Sequence, residues 1–182
     1  MFAKIGIALF DPLLTLALWL MVTRVLLQLS HADFYNPISQ GIVRLTDAVL
    51  RPLRAVLPKT GNVDLASVLG TVAIAAVYVI AFRAIIGAPW PNPFDLITVV
   101  LANIARATLS IYWFCLIVVF VMSWVAPGSY HPGAVLVRQL SEPILAPVRR
   151  LLPPMGGLDF SMILVFILIN VVRTALDAVP SI

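Results

Sequence analysis

Two histidines, one cysteine and eight acidic residues are the side chains that this sequence offers to metal binding and to histidine, thiol or carboxylate catalysis. Catalysis needs a nucleophile beside a base, converging carboxylates or a metal cluster. The spacing supplies none of them: there is no HExxH, no CxxC and no glycine-rich phosphate loop. His31 and His131 stand alone at the edges of apolar segments, and Cys115 lies within one. Either histidine is a haem ligand in principle, but their positions predict a solvated or capping role, and no cofactor or metal is expected. The other candidates are polar groups inside apolar stretches. Asn103, Arg106 and Ser110 form one set, and Asn170, Arg173, Thr174 and Asp177 another, so Asn-x-x-Arg occurs twice. Charge at such depth is costly and prompts a functional question. Two uses fit. The groups line a polar pocket or ion path, or they pair and join helices, as Asp177 would with Arg173 four residues before it.

The elements that must position these groups follow from composition. The chain has 182 residues, 62% of them hydrophobic and 11% charged, with a mean hydropathy of +1.05. A single core of that size cannot hide so much apolar surface from water, so the surrounding solvent is lipid. A crossing helix needs about 20 apolar residues, and the sequence predicts an all-α integral membrane protein with four crossings, at 12–29, 64–86, 95–126 and 159–178. The third is too long for one straight crossing. Ser30 and Ala32 resemble a signal-peptidase site, but cleavage is not expected, because Arg24 sits late in the apolar run and the segment has a counterpart further on.

That counterpart belongs to a repeat. Shifting the sequence by 95 positions aligns residues 35–69 with 130–164 without a gap, with eleven identities. They include Pro37/Pro132, Pro52/Pro147, Arg54/Arg149, Pro58/Pro153, Gly61/Gly156 and Asp64/Asp159. The chain therefore divides into two units, 1–90 and 91–182, each a helix, an amphipathic connection and a second helix. Two crossings separate equivalent points, so the units are parallel. Arg44, Arg51, Arg54 and Lys59 in the first connection and Arg138, Arg149 and Arg150 in the second make seven of the twelve basic residues. The positive-inside rule then places both connections in the cytoplasm and both termini outside. This basic surface explains the pI near 9.7. With no separate basic domain or aromatic ladder, no nucleic-acid partner is expected.

Each connection reads as an interfacial helix, at 37–57 and 132–152. Ile38, Ile42, Leu45, Val49, Leu53 and Val56 fall on one face, while Gln40, Arg44, Asp47, Arg51 and Arg54 take the other. Asn36 before Pro37 is a start signal. Pro52 is expected to bend or break the first helix, as Pro143 and Pro147 are the second; Pro58 and Gly61, and Pro153, Pro154, Gly156 and Gly157, would end them. Asp64 and Asp159 each precede a crossing and are expected to cap it. Arg24 and Arg83 are expected to snorkel to the nearer interface. Ala66, Gly70 and Ala73 mark a close-packing face on the second crossing. The arginines and Lys59 of the connections are candidate contacts for anionic lipids or a docking partner.

The segments Asp33-Phe34-Tyr35-Asn36-Pro37-Ile38-Ser39-Gln40 and Pro52-Leu53-Arg54 with Pro58, Gly61 and Asp64 resemble the repeat of the YggT (YlmG) family. So do Ser123-Trp124, the stretch 142–153 beginning Glu142-Pro143-Ile144-Leu145, and Gly156-Gly157-Leu158-Asp159-Phe160-Ser161. Ala48 departs from the family's usual proline, residues 59–62 from its more glycine-rich turn, and Arg24 has no counterpart in the second copy, which has Val119. The resemblance implies a bacterial inner-membrane protein that is not an enzyme, described in proteobacteria as acting in envelope or osmotic stress. Elsewhere it implies roles in cell division or in cytochrome haem assembly, and it hands down no catalytic residue. The leading expectation is a scaffold or assembly factor that binds membrane lipids and other membrane proteins, with a homo-oligomer left open. The alternatives are a small channel or transporter in osmotic shock and a haem-assembly or division helper.

Overall fold

A computed structural model describes residues 2–57, 64–151 and 159–179. Lys59, Pro58, Gly61, Pro153, Pro154, Gly156 and Gly157 lie outside the described residues. Six helices follow in order: α1 Phe2–Leu29, α2 Pro37–Val56, α3 Leu65–Ile86, α4 Pro93–Val125, α5 Pro132–Leu151 and α6 Phe160–Asp177. Among the described residues there is no strand. α1, α3, α4 and α6 are long and apolar enough to cross a bilayer, while α2 and α5 are the amphipathic connections. The helix of α1 begins at Phe2, ten residues before the apolar run marked by Pro12, because that proline sits inside a helix that continues on both sides. α4 is one helix of 33 residues, about 50 Å at 1.5 Å per residue, longer than the hydrocarbon thickness.

The prolines of the connections do not break their helices. α2 runs through Pro52 and α5 through Pro143 and Pro147. All three are exposed, so the carbonyls that lose an amide partner lie where water or headgroups replace it. The expected starts are present: Asn36 Oδ1 accepts from Ile38 N at 2.9 Å, and Pro37 opens the helix. His131, the residue 95 positions later, does the same job, its Nδ1 accepting from Gly133 N at 3.2 Å. α3 ends on Gly87 in the left-handed region at φ 67°, and Asn92 then caps α4.

The core has two parts. One joins Leu18, Val22 and Leu26 of α1, Ala75 and Val79 of α3, Val99, Val100 and Ile111 of α4, and Leu136 and Leu140 of α5. The other joins Leu116 and Val119 of α4, Leu145 of α5, and Met162, Val165 and Ile169 of α6. The equivalent Leu50 and Leu145 are both almost wholly buried, and each pins its connection onto the spans. α2 and α5 also meet at their N-terminal ends, where Asn36 Nδ2 donates to Pro132 O at 2.8 Å and Asp33 N donates to Gln139 Oε1 at 3.1 Å.

Candidate functional site

The basic residues of the connections divide into two sets. Arg54 Nη1 donates to Asp47 Oδ1 at 2.8 Å and its Nη2 to Asp64 Oδ2 at 2.6 Å. Advancing 95 positions, Arg149 Nη1 meets Glu142 Oε2 at 2.9 Å and its Nε meets Asp159 Oδ2 at 3.0 Å. Each repeat thus carries one arginine that ties an acid on the interfacial helix to the cap of the following span. The caps keep their other oxygen for the helix: Asp64 Oδ1 accepts from Ala66 N at 3.1 Å and Asp159 Oδ1 from Ser161 N at 3.0 Å. Burial alone would raise the Asp64 carboxyl, but the hydrogen bond and charge of Arg54 outweigh it and hold it below its ordinary value. Burial likewise opposes the Arg54 charge, and Asp64 and Asp47 reverse this, raising its guanidinium. Arg54 and Arg149 are therefore committed inside the molecule. Arg44, Arg51, Arg138 and Arg150 are exposed, with Arg138 Nη2 hydrogen-bonded to Ser129 O.

Arg24 does not snorkel. It is 3% exposed, and α2 folds across it. Its Nη2 pairs with Asp47 Oδ1 at 2.9 Å. Nη1 donates to Val43 O at 2.9 Å and Thr46 Oγ1 at 2.5 Å, and Nε donates to Ser67 Oγ at 3.2 Å. Gln28 joins the same network, giving its Nε2 to Ser67 Oγ and taking Asp64 N on its Oε1. A chain of alternating charge, Arg24, Asp47, Arg54 and Asp64, results, and burial is tolerable because every charge in it is paired. The second repeat has Val119 in the place of Arg24, so its chain stops one link short.

The intramembrane polar residues do not form one cluster. Arg106 Nη2 donates to Leu176 O at 2.6 Å and Val179 O at 2.5 Å, at the C-terminal end of α6. Arg173 Nη2 donates to Ser110 Oγ at 2.7 Å instead of pairing with Asp177. Asn103 is buried, whereas Asn170 and Asp177 are exposed. Asn170 Nδ2 turns back to Phe166 O of its own helix. Asp11, inside α1, escaped sequence reasoning: it accepts from Tyr78 Oη at 2.7 Å, and its equivalence to Arg106 at the 95-residue offset was the available signal. The small-residue face also differs. Ala66 and Gly70 are buried but Ala73 is exposed, and the buried side continues through Ser67, Thr71, Ala75 and Val79. α3 packs on α1 along its length, with Gly70 against Leu50 and Met21 near its start and Ile85 beside Gly6 near its end. His31 is exposed and takes the left-handed conformation at φ 49° that ends α1.

No metal-binding group of three or more His, Cys, Asp or Glu occurs among the described residues. A family model described as CCB3/YggT matches the chain twice, over residues 3–85 and 98–179, two copies again set 95 positions apart at their starts. The chain belongs to the CCB3/YggT family. Relatives agree along almost the whole length. A Pseudomonas aeruginosa protein described as uncharacterized is 42% identical over 92% of this chain and 85% of its own. YggT of Escherichia coli K12 is 35% identical over 91% of this chain and 85% of its own. A Vibrio alginolyticus protein, described by its position in the proC 3′ region, is 34% identical over 87% and 86%. No solved structure matches. For a CCB3/YggT protein the site with a duplicated geometry is thus the pair of connecting helices α2 and α5 with their arginine staples.

Proposed function

We propose that this protein is a non-enzymatic, multi-pass inner-membrane scaffold or assembly factor acting in the envelope or osmotic stress response, with α2 and α5 on the cytoplasmic side and both termini outside. The observation that carries the reading is the division of the arginines. Arg54 and Arg149 hold the connections rigidly to the spans, while Arg44, Arg51, Arg138 and Arg150 point outward and form no ion pair among the described residues. Exposed Leu45, Val49 and Leu151 lie beside them. A rigid surface with both cationic and apolar groups suits anionic headgroups and the juxtamembrane parts of other membrane proteins.

The test is in-cell crosslinking through photoreactive residues at positions 44, 51, 138 and 150, followed by identification of the adducts. Specific membrane proteins are expected, and they should disappear when the other three arginines are changed to glutamine. Adducts with lipids alone would sink the scaffold reading.

A further inference from the structure

The two repeats make the same helix crossing with opposite charge. At the end of the bundle away from α2 and α5, Tyr78 Oη donates to Asp11 Oδ1 and joins α3 to α1. Moving 95 positions along replaces Asp11 by Arg106, Thr15 by Ser110 and Tyr78 by Arg173. There Arg173 Nη2 donates to Ser110 Oγ at 2.7 Å and joins α6 to α4. The fold needs a polar tie at this level. The first repeat shows that it does not need two cations.

Among the described residues neither guanidinium meets a carboxylate. The five ion pairs among the described residues all involve α2 or α5, and none includes Arg106 or Arg173. Arg106 satisfies the last carbonyls of α6, a favourable place for a cation. Those dipoles do not cancel a full charge, and its enclosed Nη1 has no acceptor. Arg173 keeps Nε and Nη1 without a hydrogen bond among the described residues, and its guanidinium lies 5.8 Å from the centre of the Trp113 ring. Two cations on adjoining helices at the margin of the hydrocarbon favour an anion from outside. A guanidinium edge offering two parallel donors matches phosphate oxygens, and tryptophan is the side chain that settles at headgroup level.

We propose that the α4–α6 seam at Arg106 and Arg173 binds a phosphate oxyanion. Arg173 donates through the N–H groups that Ser110 leaves free, Arg106 adds charge from behind, and Trp113 walls the site. The phosphate comes either from a phospholipid headgroup in the adjoining leaflet or from free phosphate.

The full chain, purified in a neutral detergent and stripped of lipid, is titrated with short-chain phosphatidylglycerol, inorganic phosphate or short-chain diacylglycerol, which lacks phosphate. Thermal unfolding and tryptophan emission are the readouts. A saturable response to phosphatidylglycerol alone identifies the lipid; a matching, competing response to inorganic phosphate identifies the free ion. In either case Arg173→Gln is expected to weaken binding about tenfold or more, the loss of charged hydrogen bonds. Arg83→Gln, which removes a cation of the same end of the bundle outside the seam, should leave it unchanged. Arg173→Lys keeps the charge without the fork and serves if the glutamine variant does not fold, with weaker binding expected. A response equal to that of diacylglycerol, no saturation, or a dissociation constant unmoved by both Arg173 variants overturns the site.

Discussion

Arg24 is the residue on which the first repeat depends. It fixes α2 against α1 and α3 through Asp47, Thr46, Val43 O and Ser67 at once. Arg24→Val leaves Asp47 with Arg54 as its remaining cation and strands several buried acceptors, so a loss of about 3 kcal/mol is expected. Arg24→Lys should not restore it, since a point charge cannot span those partners as the planar fork does. Unfolding in detergent measures both. Asp64 predicts a pH dependence. Its folded carboxyl lies below the unfolded value of about 3.9, so its contribution is complete above that pH and vanishes as pH falls through the lower folded value. Stability should therefore hold steady from pH 7 to about 5 and decline below about 4, and Asp64→Asn should flatten part of that decline. Only part of this chain of pairs was legible in the sequence, for a physical reason. Asp47 and Arg54 share one face of α2 and their pairing could be read from its period, but Arg54 and Asp64 lie ten residues apart on different elements, where helical periodicity says nothing. The caps at Asp64 and Asp159 were legible because capping is local.

At the scale of the element, amphipathic patterning and capping identified α2 and α5, but not how their prolines would be accommodated. A missing amide matters less when the carbonyl it leaves is solvated, and exposure is decided by packing, not by local sequence. The approach of α3 to its neighbours rests on one glycine. A Cβ at Gly70 would lie 2.4 Å from Leu50 Cδ2 and 2.6 Å from Met21 Cε, both buried side chains. Gly70→Ala is expected to cost about 2 kcal/mol through overpacking, read as a lower unfolding midpoint. The end of α1 offers the reverse case. His31 holds a conformation that suits glycine, with Ala32 N bonded to Leu27 O at 3.0 Å. His31→Gly should gain about 1 kcal/mol in the same assay.

For the whole molecule, the four crossings and the parallel repeat could be read from hydropathy and the 95-residue offset. The contact between α2 and α5 could not, because it joins positions about a hundred residues apart through backbone groups such as Pro132 O. Orientation is directly measurable, since Cys115 is 3% exposed and gives no background to a polar thiol reagent. In spheroplasts an impermeant maleimide is expected to label Trp90→Cys at once and Arg150→Cys only after permeabilisation. The reverse pattern would invert the topology.

The position shared by Arg24 and Val119 carries an evolutionary consequence. A homodimer of single units must place either two arginines or two valines there, because both copies share one gene. Fusion into one chain removes that constraint and lets selection act on each half alone. One half carries a charged lock and the other an aliphatic contact at Val119. The two connection helices are thus held by different chemistry, an asymmetry that no assembly of identical subunits could hold.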